Sequence, residues 1–234
     1  MTAKRNTAIV ETLRLQGLIP FFNHTDVNTW EQIIDVAYHS GIRVFEFTHQ
    51  RERKPELFSH IMRKCADQYP DLLIGAGTVL TAETADHYLR AGASFIGSPF
   101  LRADMADVCA SHQRLWIPGC TNKQEIAEAH RLGASVVTLL AGHILGAGFL
   151  AGLTEAFPRL HFIPSGIADT HEIKLHRWFQ AGALCIRMGL PIFPKEVVAI
   201  RDWRRLEQNL FSVLGVIRKI KHGIVPPPIQ TLSA

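Results

Sequence analysis

The chain has 234 residues, 47% of them hydrophobic, enough to bury one sizeable core and suited to a single α/β domain. Its 25 Lys and Arg are scattered among 21 Asp and Glu for a net charge of +4, so it lacks the basic block expected of a nucleic-acid-binding surface. No stretch offers the ~18 apolar residues of a membrane span, and four cysteines without C-x-x-C spacing predict reduced, buried thiols in a cytoplasmic protein.

The opening MTAKRNTAIVETLRLQG has no uninterrupted apolar run of the kind that directs export, and it reads as an extra helix ahead of the first strand. Strands are predicted at 18–22 (LIPFF), 44–48 (VFEFT), 72–78 (LLIGAGT), 95–100 (FIGSPF), 115–120 (LWIPGC), 136–140 (VVTLL), 161–166 (HFIPSG) and 184–189 (LCIRMG), each bounded by glycine, proline or polar residues. Helical periodicity fills the gaps in TWEQIIDVAYHSG, KPELFSHIMRKCADQYP, TAETADHYLRAG, NKQEIAEAHRLG and THEIKLHRWFQAG, several of which stop at a glycine suited to the left-handed C-cap. The last helix, WRRLEQNLFSVLGVIRKIK, is amphipathic. Residues 1–225 then form one domain, and residues 226–234, which open on three prolines, form an extended tail.

SGIRVFEF, AGASFIGS, LGASVVTL and AGALCIRM repeat one pattern: helix stop, small residue, buried strand. Eight strands apolar on both faces and alternating with helices predict a closed (β/α)8 TIM barrel, with the first seventeen residues as the extra helix across one end. A doubly wound open sheet is the alternative, but the first βα turn, FFNHTDVNTW, has no G-x-G-x-x-G and no later strand leads into a P-loop.

Barrel chemistry gathers at the carboxyl ends of the strands. There the sequence places His24, then Glu46, Thr48 and His49, then Gly77 and Thr78, Ser98, Cys120 and Thr121, Thr138 and His143, Ser165 and Gly166, and Arg187. Glu46 stands out, because a carboxylate between Phe45 and Phe47 must meet a partner, such as the hydroxyls of Thr48 and Thr78, or stay protonated. Such a site suits proton transfer. Glu46 with some of His24, His49 and His143 is a possible divalent-metal set, although each histidine is first a loop residue. GHILGAG reads as a small-residue loop whose backbone can hold an anion at a helix amino terminus.

In order along the chain, RVFEFT, GAGTVL, SPFL, LWIPGC, GASVV, LGAGF and WFQAGALCIRMG resemble the 2-keto-3-deoxy-6-phosphogluconate (KDPG) aldolase family, which also includes 4-hydroxy-2-oxoglutarate (KHG) aldolases. The resemblance implies a cytoplasmic (β/α)8 barrel, assembled as a homotrimer, that cleaves a sugar acid phosphate to pyruvate and an aldehyde through a lysine Schiff base without a cofactor. Glu46 stands at the family's proton-transfer glutamate and Thr78 at its pyruvate-holding threonine, while the lysine position is Thr138, which cannot form an imine. The carboxylate-gripping arginine falls on Gln50, with Arg51 one residue later. The phosphate site maps to Ser165, Gly166 and Gly189, with Ile167 in place of a second glycine, Arg187 in place of another glycine and Leu190 in place of the serine.

Two functions follow from these departures. One is a family barrel that binds a small 2-oxo acid or sugar acid with its Schiff-base chemistry lost. The other is an active carbon–carbon lyase with an altered mechanism, either borrowing Lys123 or Lys195 or using a divalent metal as Lewis acid at Glu46 and the histidines.

Overall fold

Strands that are apolar on both faces need cover on both faces, and a parallel sheet wrapped in helices supplies it. The computed structural model describes residues 2–48 and 55–223. Its strands are β1 (Leu18–Phe22), β2 (Val44–Thr48), β3 (Leu73–Gly77), β4 (Phe95–Ser98), β5 (Leu115–Cys120), β6 (Val136–Leu139), β7 (His161–Pro164) and β8 (Ile186–Met188). The helix α1 (Thr2–Gln16) precedes them. Between strands run α2 (Val27–His39), α3 (Pro55–Gln68), α4 (Ala82–Arg90), α5 (Ala103–Ser111), α6 (Lys123–Arg131), α7 (Gly142–Ala156) and α8 (Glu172–Gln180), and after β8 come α9 (Lys195–Ala199) and α10 (Trp203–Lys221).

The strands pair in parallel in the order β7-β6-β5-β4-β3-β2-β1-β8. A bridge between Phe162 and Ala183, with the Leu184 N–H donating to the Phe162 carbonyl at 2.9 Å, draws the last seam together. The result is a nearly closed (β/α)8 TIM barrel with an extra amino-terminal helix.

Two apolar clusters follow from strand alternation. Inward residues, among them Ile19, Val44, Phe95, Ile117, Val136 and Ile163, form the barrel interior. Ile9, Val10 and Leu13 of α1 join that cluster, so the extra helix closes the amino-terminal end as a hydrophobic plug. At its last residue Gln16 hydrogen-bonds two strands: its Nε2 donates to the Leu18 carbonyl of β1 and to the Val44 carbonyl of β2 at 2.9 Å, and its Oε1 accepts from the Val44 N–H at 3.0 Å. Outward residues pack beneath the helices. Trp30 of α2 is fully buried there, stacked on Phe47 at 4.8 Å and edge-on to Phe22 at 5.0 Å, and its indole N–H donates to the His24 carbonyl at 2.9 Å. The α10 helix buries Leu206, Leu210, Val213, Leu214, Ile217 and Ile220, the helical stripe expected from its sequence.

Several boundaries differ from the sequence expectation. The third strand stops at Gly77 because Thr78 takes a left-handed backbone (φ 59), which no strand continues through. The fourth, sixth and seventh strands are shorter, ending at Ser98, Leu139 and Pro164, and the eighth runs only from Ile186 to Met188. GHILGAG is the start of α7 rather than a loop, with Ala141 left-handed (φ 51) before it and a break at Gly146 (φ 78) inside it. All four cysteines are buried and free. Burial pushes the thiols of Cys65, Cys109 and Cys120 up to about 12 and raises Cys185 too, so they act as packing groups. The expected tail at 226–234 lies outside the described residues. None of the helices among the described residues is long and apolar enough to cross a membrane.

His161, the first residue of β7, lies with its Nε2 3.5 Å from Nη2 of Arg14. Burial lowers its pKa and the Arg14 charge lowers it further, against a smaller opposing pull from Glu11. The unfolded chain therefore takes up this proton more readily than the folded one, and the stability present above the ordinary value of 6.5 is lost as pH falls through the depressed native pKa. Melting temperature measured from pH 8 to pH 5 is expected to decline on the acid side, and His161→Gln is expected to flatten part of that decline.

Candidate functional site

Strand register decides what meets at the barrel mouth. The β1 strand lies between β2 and β8, with Phe21 opposite Glu46 and Ile19 opposite Arg187. These side chains share the interior face, and Arg187 reaches across β1 to Glu46. Its Nε donates to Oε2 of Glu46 at 2.8 Å while Nη2 donates to Oε1, a two-pronged fork. The Glu46 side chain is 5% exposed and that of Arg187 16%. Phe21 supports the pair from below, its ring centroid 4.3 Å from the guanidinium carbon.

Burial alone disfavours the Arg187 cation, and the Glu46 carboxylate, through its charge and hydrogen bonds, more than reverses that and holds the guanidinium pKa above its usual value. Gly77 is needed for the approach of the carboxylate, because a Cβ there would overlap Glu46. Gly189 does the same for Phe21, whose ring lies 2.6 Å from where a Cβ would stand.

Beside the pair is a small cavity of about 50 Å3 lined by Thr78, Ser98, Pro99, Thr138, Leu140 and Arg187, among others. Thr138 is half-buried on β6, opposite Gly119 of β5 and Ile163 of β7. Ser98 is committed to the scaffold, accepting from the Trp116 indole N–H at 3.0 Å and donating to the Phe100 carbonyl at 2.9 Å. Thr78 is exposed, and its left-handed backbone is a strained conformation for a β-branched residue.

Of the residues singled out in the sequence, Glu46, Thr78, Thr138 and Arg187 thus come together around one cavity. Ser165 and Gly166 do not line it. They sit at the end of β7 against α7, where the Gly142 N–H donates to the Ser165 carbonyl at 3.0 Å and the His143 ring occupies the space beside Gly166. Gly189 lines a different cavity together with His24, Leu190 and Lys195. Lys123 begins α6, and no lysine among the described residues lines the Thr138 cavity. His49, Gln50 and Arg51 lie outside the described residues.

One expectation is corrected. The partner of Glu46 is Arg187 rather than the Thr48 and Thr78 hydroxyls, and Thr48 Oγ1 is left buried without a hydrogen-bond partner among the described residues. No group of three or more His, Cys, Asp or Glu side chains comes together for a metal among the described residues. Glu46 gives both oxygens to Arg187, whereas His24 lines a separate cavity and His143 packs against Gly166.

Comparison with known proteins fits this arrangement. A family model described as KDPG and KHG aldolase matches residues 9–209. The chain belongs to that family. It is 28% identical over 213 residues to the 2-dehydro-3-deoxy-phosphogluconate aldolase of Treponema pallidum, covering 89% of this chain and 99% of that one. Identity to the enzyme of the same name from Haemophilus influenzae is 24%, covering 90% and 97%. Among solved structures, a KDPG aldolase from Legionella pneumophila holding pyruvate as a covalent carbinolamine superimposes with a TM-score of 0.76 at 23% identity, covering 87% of this chain and 97% of that one. A native KDPGal structure gives 0.78 at 18%, covering 88% and 96%. These structural likenesses carry the barrel fold.

Removing one partner of a buried ion pair leaves an uncompensated charge, at a cost of about 3–5 kcal/mol. Glu46→Leu and Arg187→Met are each expected to lower stability by about that much, and the double substitution to lower it by less than their sum. Urea unfolding of the four proteins checks this, and additive losses would contradict the pairing.

Proposed function

We propose that this chain is a family barrel that binds a small 2-oxo acid or sugar acid without Schiff-base chemistry. The observation that carries the reading is Thr138: at the β6 position where the resemblance places the reactive lysine stands a hydroxyl, which can hydrogen-bond a ketone but cannot condense with it. The surroundings support it. Glu46, the proton-transfer position, is held on both oxygens by a guanidinium, so a proton-accepting role requires that fork to open first. Arg187 supplies a cation for a carboxylate in place of the strand-eight glycine of the family, and Thr78 with Thr138 supplies hydroxyls for the adjacent carbonyl. The volume of the cavity suits the oxo-acid head of a ligand rather than a phosphorylated chain. Gln50 and Arg51 are further candidate contacts, and Ser165, Gly166 and Gly189 keep a binding role only toward a ligand that extends beyond this cavity. The four protonated, buried thiols fit a cytoplasmic setting, and the family membership supports assembly as a homotrimer.

Reduction with borohydride in the presence of pyruvate, followed by intact mass measurement, tests the reading. The native protein is expected to gain no pyruvyl group, and Thr138→Lys combined with Gln50→Arg is expected to gain one at residue 138. A pyruvyl adduct on any lysine of the native chain would overturn it. So would release of pyruvate from 2-keto-3-deoxy-6-phosphogluconate or 4-hydroxy-2-oxoglutarate, with or without divalent metal, in a lactate dehydrogenase-coupled assay.

A further inference from the structure

The largest cavity among those described is not the one around Thr138. It measures about 470 Å3 and lies where β1, the turn after β8 and α9 meet, within the ~300–1,000 Å3 typical of small-molecule sites. Its walls are largely apolar and aromatic, with Phe21, Phe22, Phe193 and Ala199 among them. The Phe22 ring is fixed between Trp30 at 5.0 Å and Phe193 at 5.4 Å, and the imidazole of His24 lies nearly parallel to it at 6.0 Å. Such walls are preformed, which reduces the entropy lost when a ligand is ordered against them.

The polar groups lean one way. No carboxylate among the described residues lines this cavity, whereas Lys195 and His24 both do. His24 Nδ1 accepts the Asp26 N–H at 3.1 Å, so the neutral ring carries its proton on Nε2 and offers a donor there. An ammonium and an imidazole N–H face an aromatic floor.

We infer that this cavity is a second ligand site, built for a small carboxylic acid with an aromatic or branched aliphatic body. The body lies against Phe21, Phe22 and Phe193, and the carboxylate meets Lys195 and His24. Phe21 links the two sites, because the ring that lines this cavity also carries the Arg187 guanidinium. Gly189 and Leu190, where the resemblance places part of the phosphate site, also line this cavity, so it adjoins that end of the family site; the inference does not rest on the reading of Thr138.

Calorimetric titration of the full-length protein with 3-phenylpropionate, acetate and 3-phenylpropionamide tests it. Saturable binding of 3-phenylpropionate is expected, with acetate and the amide at least about tenfold weaker, or about 1.4 kcal/mol. Lys195→Glu and Ala199→Trp, both at exposed positions, are each expected to weaken it about tenfold or more, with melting temperatures near that of the native protein. Thr138→Lys is expected to leave it unchanged. Absence of saturable binding up to about 10 mM, or binding indifferent to both rim substitutions, would overturn the proposal. Binding lost in Thr138→Lys but kept in Ala199→Trp would do so too, placing the ligand in the barrel mouth.

Discussion

A guanidinium and a carboxylate face each other inside this barrel, and the surrounding residues are arranged to tolerate them. Two charges out of water are costly unless each is met by good geometry, and the fork between Arg187 and Glu46 meets both carboxylate oxygens at once. Gly77 leaves room for the carboxylate, Phe21 offers its ring face to the guanidinium, and Gly189 leaves room for Phe21. The cavity that remains beside the pair is correspondingly small. Where the family resemblance places a reactive amine beside a free carboxylate, this chain has a hydroxyl beside a carboxylate already in use.

That arrangement depends on the barrel. The β8 strand pairs beside β1 on the side away from β2, so that side chains from β2 and β8, distant in sequence, meet across one intervening strand. The α1 plug seals the opposite end with Ile9, Val10 and Leu13, which leaves the mouth at the carboxyl ends of the strands open to ligands. Along that rim two environments diverge. Over β3, β4 and β6 the lining is compact and rich in hydroxyls, and over β1, β8 and α9 it is wide, aromatic and cationic.

Most of the barrel could be read from the amino acids because its signals are local. β1, β2 and β5 match their apolar runs residue for residue, and the glycine stops with their following small residues mark the helix-to-strand turns. The need of Glu46 for a partner was legible too, from a carboxylate between two phenylalanines. Its identity was not, since a pairing across 141 positions depends on register and closure, which no local pattern encodes. Phe21 was missed for a related reason: it looks like ordinary core until strand alternation places it opposite Glu46. The α7 start was hidden because GHILGAG carries no side-chain cap and two of its glycines suggest a loop. Thr78 gave no hint of its left-handed backbone, a conformation imposed by the turn rather than by the residue.

The central claim is that the mouth of this barrel no longer supports carbanion chemistry on a 2-oxo acid. Exchange of the pyruvate methyl protons with deuterium, followed by proton NMR in heavy water, tests it most directly, because an imine or an enolate formed with Glu46 as base would wash those protons out. The account predicts exchange at the buffer rate with the native protein present. Exchange faster than buffer, abolished by Glu46→Gln, would contradict it.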